Sequence, residues 1–201
     1  VDEEYLPFED GQFDLVITNL NLHWVNDLEG LFQELRRILQ PDGVLLGNML
    51  GENTLTELNA CFSQAEQELD GGVSPHVSPM VGGGDVSSLL LNSGFAMPTV
   101  DIERRTQAFP DGMALMRHLQ QIAENNALLS RRAFTPMATI RAAADLYDRS
   151  FPAPDHKGVT ATFEAVSFVG WAPHESQPSP KCRGSGQVSL KSLASELGAD
   201  V

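Results

Sequence analysis

The first clear pattern is a compact apolar run, "FDLVIT", from Phe13 to Thr18. It is short and partly β-branched, as expected of a strand covered on both faces. Asp10-Gly11 marks a turn before it. A polar loop follows, and then Leu28, Leu31, Phe32, Leu35, Ile38 and Leu39 recur at helical spacing, which makes one apolar stripe. Asn26 with Glu29 has the spacing of a capping box. Arg36 and Arg37 fall in the last turn, where cations suit the helix dipole. Pro41-Asp42-Gly43 ends the helix, and Val44 to Leu46 begin another strand. Strand, helix, turn and strand form a βαβ unit, which builds a parallel sheet with a right-handed crossover.

The pattern continues in alternation. Thr54 with Glu57 reads as a second capping box, and Leu55, Leu58, Phe62, Ala65 and Leu69 mark the buried face of its helix. "GGVSPHVSPMVGGGD", from Gly71 to Asp85, is a Gly-, Ser- and Pro-rich loop, of a length usually kept for function or mobility. Asp85 caps a short helix through Leu91 that Gly94 closes. A strand is expected near Pro98 to Glu103. Asp111 caps a further helix with Leu115, Met116, Leu119 and Ile122 inward. Thr135-Pro136 supplies N-cap and N1 of the next, which runs to about Arg149. "VTATFEAVSFVGW", Val159 to Trp171, alternates and is a strand. From Ala172 to Val201 the composition is that of a disordered tail with one weak helix near its end. The reading is therefore one α/β domain over residues 1–171 and a polar tail over 172–201, without internal repeats.

Composition narrows the function. The chain has 201 residues and a formal charge of -14, which disfavours a general nucleic-acid binder, because phosphates need a basic face. No apolar run is long enough to span a membrane. The two cysteines, Cys61 and Cys182, form neither a disulfide framework nor a zinc site. His23, His76, His118, His156 and His174 are scattered, with no His-x-Asp or His-x-Glu pair, so no facial triad and no metal site is expected. "VGGGD" is glycine-rich but does not follow a strand, so it is not a cofactor loop.

The polar residues after Thr18 have two readings: they form the loop and cap the next helix, or they line a ligand site. An open parallel sheet binds ligands beyond the carboxyl ends of its strands, which is where Asn19, Leu20, His23 and Trp24 fall. Asp2-Glu3, Leu6-Pro7-Phe8, Phe13-Asp14 and His23-Trp24, followed by "ELRRILQPDGVLL", resemble the class I S-adenosylmethionine-dependent methyltransferases. "LHWVNDL", "PDGVLLGNMLGENTLTEL", "GGVSPHVSP" and "VGWAPHESQPSPKCRGSGQVSL" bring the resemblance nearer to one branch, the mitochondrial complex I assembly factor 5 family of arginine hydroxylases. It extends to about Leu190.

That resemblance implies the C-terminal part of a Rossmann-like methyltransferase fold, a mostly parallel sheet flanked by helices, with its N-terminal strands and glycine-rich loop missing. The chain opens on Val1, and a fragment is expected whose first strand leaves a sticky edge. The implied cofactor is S-adenosyl-L-methionine, bound by Asp2 and Glu3 at its adenine and by Asn19 and Leu20 at its methionine side. His23, Trp24 and His76 are the substrate-side candidates, and no catalytic residue is assigned. The implied role is assembly of respiratory complex I by hydroxylating an arginine of a subunit, on the matrix side of the mitochondrial inner membrane, peripherally associated with it. An O-methyltransferase of the malonyl-carrier-protein type and a non-catalytic chaperone are the alternatives. The residues give no account of hydroxylation, which usually needs a metal or an electron-carrying cofactor.

Overall fold

The computed structural model describes residues 3–124, 126, 128, 130–154, 157–179, 181 and 183–186. Asp2, His156, Cys182 and the expected late helix lie outside the described residues. The elements run β1 (Phe13–Asn19), a 3-10 turn (Leu22–Trp24), α1 (Leu28–Ile38), β2 (Leu39–Leu50), α2 (Thr56–Leu69), α3 (Gly83–Asn92), β3 (Ala96–Phe109), α4 (Gly112–Gln121), α5 (Met137–Ser150) and β4 (Val159–Trp171).

One sheet results, in the order β1-β2-β4-β3. β1 pairs with β2 in parallel, as a βαβ unit requires. β4 inserts between β2 and β3 and runs antiparallel to both, so the sheet is mixed. The Pro41-Asp42-Gly43 turn lies inside β2 as a bulge: Phe13 faces Leu39 and Leu15 faces Val44. Asp42 takes φ +69° there, and Ala172 clamps the bulge by exchanging backbone hydrogen bonds with Asp42 and Gly43.

β4 serves two cores because successive side chains point to opposite faces. Val166 and Phe168 join Leu45, Met49, Leu31, Phe32, Leu90 and Phe95 under α1 and α3. Val159 and Ala161 join Leu58, Phe62, Leu115, Ala143 and Tyr147 under α2, α4 and α5. Each fully buried Leu or Phe contributes about 1.5–3 kcal/mol. Glu164 is the exception on β4, a buried carboxylate. Burial raises its pKa, but Arg104 and Asn53 outweigh that and hold it below the usual carboxylate range.

Several local expectations are corrected. Asp27, not Asn26, caps α1, and accepts the Gly30 N–H at 2.9 Å; the Asn26 and Asp27 N–H groups donate instead to Glu4. Thr54 and Glu57 form no capping box. Thr54 exchanges hydrogen bonds with the Glu164 backbone and Glu57 accepts from Thr162, because β4 lies close enough to compete. α2 starts behind Leu55, at φ +55°. Leu69 and Ile122 are exposed, each at the fraying end of its helix, past the core. α3 begins at Gly83, with Asp85 accepting from the Gly82 N–H. β3 is longer than expected, since β4 offers it a partner along its length.

The two edges of the sheet differ. β3 ends the sheet with Asp101, Glu103, Arg104, Arg105 and Gln107 exposed, the charged composition that guards an edge against further pairing. β1, at the other edge, exposes Leu15 and Ile17, at 47% and 66%. A groove of 360 Å³ runs along it, between β1 and the Leu31, Leu35 and Ile38 side of α1.

Candidate functional site

The carboxyl end of β1 gathers most of the residues singled out in the sequence. Asn19 and Leu20 are exposed there. Leu20 has φ +50° and its N–H donates to the Asn48 carbonyl at 2.8 Å, so the chain leaves the sheet abruptly at the end of the parallel pair. Asn21 then reaches back, and its side-chain N–H₂ donates to the Glu3 carboxylate at 2.9 Å. That bond, with Glu3's own N–H, holds the Glu3 carboxyl below its ordinary value. Glu3 and Asn21 both line the groove along β1.

One turn later His23 and Trp24 face another space. The 3-10 turn packs Leu22 into the core and leaves the two rings 5.5 Å apart. They line a cleft of 570 Å³ with Val25, Met49, Met80, Val81 and Leu128, within the usual range of about 300–1,000 Å³ for small-molecule sites. The sequence supplied His23 with no partner base, but the fold does: its Nε2 lies 3.2 Å from Glu124 Oε1, just past α4. A carboxylate only accepts, so Nε2 carries the hydrogen, and in the neutral ring Nδ1 is an acceptor. Nδ1 is buried and has no partner among the described residues. A histidine oriented by a carboxylate on one nitrogen, with an unpaired lone pair on the other, can take a proton or a hydrogen bond from a ligand.

His76 is placed elsewhere. Its Nε2 lies 2.9 Å from Glu66 Oε1 and its ring stacks on Phe62 at 3.9 Å. Glu66 is wholly buried and accepts also from the Ser74 N–H at 2.5 Å, the Ser74 hydroxyl at 2.6 Å and Arg132 Nη1 at 3.1 Å. Burial alone would raise its pKa; Ser74 and His76 reverse this and bring it to about 2. This network ties the Gly-Ser-Pro loop to α2, and His76 lines a cavity among α2, α4 and α5 rather than the cleft of His23.

Among the described residues, no three His, Cys, Asp or Glu side chains converge as metal ligands, and no helix is long and apolar enough to cross a membrane. Sequence reasoning missed Glu124, Glu66, Asn21 and Arg132. His23 and Glu124 are 101 residues apart, so no spacing rule could have joined them. Asn21 follows Asn19 and Leu20 in the same loop, and its separation of 18 residues from Glu3 also carries no local signal.

Comparison with known proteins agrees with this architecture. The family described as "Methyltransferase domain" matches residues 1–47. The chain is 45% identical over 194 residues to the mitochondrial arginine-hydroxylase NDUFAF5 of Dictyostelium discoideum, covering 96% of this chain and 44% of that protein. It is 42% identical over 192 residues to human NDUFAF5, with 96% and 55% covered. A malonyl-[acyl-carrier protein] O-methyltransferase of Xylella fastidiosa is 34% identical over 173 residues, with 86% and 56% covered. The chain thus spans about half the length of the curated relatives it matches. In fold, it is similar to the Bacillus subtilis YcgJ protein, with a TM-score of 0.54, 11% identity and 86% and 69% of the two chains covered. A candidate methyltransferase of Bacillus halodurans also gives a TM-score of 0.54, at 16% identity with 87% and 76% covered.

Proposed function

The chain belongs to the class I methyltransferase superfamily, near the NDUFAF5 arginine-hydroxylases, and from that premise we propose that it forms the acceptor side of a mitochondrial enzyme that hydroxylates an arginine of a respiratory complex I subunit during assembly. The observation that carries this reading is buried His23, held by the part-exposed Glu124. His23 lines a cleft beyond the carboxyl end of β1, where this class of sheet binds its ligands.

S-adenosyl-L-methionine fits the β1 end in part. Asn19 and Leu20 are exposed where its methionine side would lie. Glu3, the adenine candidate by resemblance, has its carboxylate already engaged by Asn21. When bound, this cofactor supplies an activated methyl group and a positive sulfur.

The acceptor arginine would enter past Trp24. The ring face of Trp24 suits a guanidinium, and the apolar wall of Met49, Met80 and Val81 suits its methylene stem. His23 Nδ1, when it carries no proton, would accept a hydrogen bond from the guanidinium. Placing an oxygen on carbon consumes dioxygen, two electrons from a reductant and two protons, one oxygen atom entering the C–H bond and the other leaving as water. The part of this chain's residues is to hold the arginine and limit the access of bulk water. A net charge of -14 also favours a basic, arginine-bearing partner.

The test is mass spectrometry of complex I subunits from cells lacking the protein, complemented with full-length wild type or His23→Gln. An arginine heavier by one oxygen with wild type and unmodified with the variant supports the reading. A mass heavier by one methylene would assign methylation instead. No arginine difference between complemented and deficient cells refutes it.

A further inference from the structure

A second hollow, of 580 Å³, adjoins the cleft of His23, and Ser78, Pro79, Met80 and Leu128 line both. On its other side lie Glu52, just past β2, and Thr56, Asn59 and Ser63 on α2. The common wall is the end of the Gly-Ser-Pro loop, whose length is of the kind usually kept for function or mobility. Ser74 and His76 tie that loop to Glu66 of α2. The Asn126 side chain, past α4, donates to the Pro75 carbonyl at 2.5 Å.

The chemistry of the second hollow differs from that of the first. The side chains of Thr56, Asn59, Ser63 and Ser78 line it without hydrogen-bond partners among the described residues. Hydroxyl and amide groups of this kind can pair with the N–H and C=O groups of an extended backbone. Glu52 is the one charged residue of its lining, and it is exposed. Its carboxylate has neither a hydrogen bond nor an ion pair among the described residues. It lies against Gly82, where a Cβ would stand 2.9 Å from Oε1, so the glycine leaves it room. The neighbouring carboxylates are engaged. Asp85 accepts the Gly82 N–H, Glu66 accepts from Ser74 and bonds His76, and Glu124 holds His23. Among the described residues, no Lys or Arg lines either hollow. An incoming cation therefore meets an open carboxylate and no lining cation that would repel it.

One arginine side chain cannot occupy both hollows. Resting on the reading that His23 and Trp24 take the acceptor arginine, we propose that the adjoining hollow takes the residues beside that arginine. It selects an extended peptide segment that carries a second basic residue, Lys or Arg, set against Glu52. Thr56, Asn59, Ser63 and Ser78 would hold the backbone between the two basic side chains.

The test is fluorescence anisotropy of the full-length protein with labelled peptides of Gly, Ser and Ala around one central arginine. A single lysine is walked from two to six residues to either side, a reach of about 7–20 Å in an extended chain. A preference of about three- to fivefold at one or two positions on one side is expected, the size that an exposed ion pair supplies. Glu52→Gln should level the preference and leave the lysine-free peptide unchanged. Glu52→Lys should reverse it, favouring glutamate at the same position. Asn59→Arg, which brings a cation into the hollow, should also weaken the lysine peptide. Each variant is first checked for wild-type melting. A flat lysine walk with the wild type, or a preference that survives Glu52→Gln, overturns the proposal. Citrulline in place of the central arginine tests the underlying reading separately. A flat walk with binding that still requires arginine removes only the second subsite, whereas citrulline binding as tightly as arginine removes the arginine site itself. No binding of any peptide overturns both.

Discussion

His23 and His76 each meet a carboxylate that lies far from them in sequence, yet the two pairs have different uses. His76 stacks on Phe62 and bonds to a wholly buried Glu66 that three other groups also hold: the Ser74 hydroxyl, the Ser74 N–H and Arg132. Those bonds tie the loop to α2. His23 bonds to a Glu124 that keeps some exposure, at 18% of its side chain, and its second ring nitrogen has no partner among the described residues. A histidine tied to a buried, multiply bonded carboxylate serves the fold, whereas one that lines a cleft with an unpartnered ring nitrogen is the better candidate for chemistry.

The largest effect expected is on the first pair. Glu66→Gln leaves Arg132 and His76 beside a neutral amide, and should destabilise the protein by about 3 kcal/mol, read by urea denaturation. A change below about 1 kcal/mol would show that the network is not cooperative. The acid limb of stability follows from the same residue. The folded-state pKa of Glu66 is depressed from 4.5 to about 2, so its contribution is complete above about pH 4.5 and is lost as pH falls toward 2. Wild type should therefore lose melting temperature across that window more steeply than Glu66→Gln. Parallel curves would sink the assignment.

The second pair should behave in the opposite way. His23→Gln or Glu124→Gln should cost only about 1 kcal/mol of stability, but about a hundredfold in arginine modification by the full-length protein. His76→Gln should spare modification once the folded fraction is matched. If His76→Gln and His23→Gln lower modification alike, the distinction between the two histidines fails. The smallest effect is expected at Leu20, held at φ +50°. Leu20→Gly relieves that backbone and should change stability by no more than about 1 kcal/mol in either direction. Any weakening of S-adenosylmethionine binding would then come from the lost side chain.

Local pattern carried much of the fold. The apolar stripe from Leu28 to Leu39 needed only 3.6-residue periodicity, and β4 occupies Val159–Trp171 as its alternation implied. Asp111 caps α4 as read from sequence, since a cap is a contact three residues long. The position of the loop after β1, beyond the end of a parallel pair, also followed from β1 ending in polar residues. Both capping boxes failed, however, because their side chains found partners across the fold: Thr54 and Glu57 turned to β4, and Glu4 took the N–H groups before α1.

What the sequence determined by itself is what depends on neighbours along the chain: helical faces, strand alternation, turn positions and the βα setting of the loop after β1. Only the tertiary structure decided that β4 would lie between β2 and β3, that Glu124 would reach His23, and that Arg132 would reach Glu66. Those outcomes join segments tens of residues apart. Their energies come from burial and from charges brought within hydrogen-bond distance, and neither leaves a period or a spacing in the one-dimensional chain.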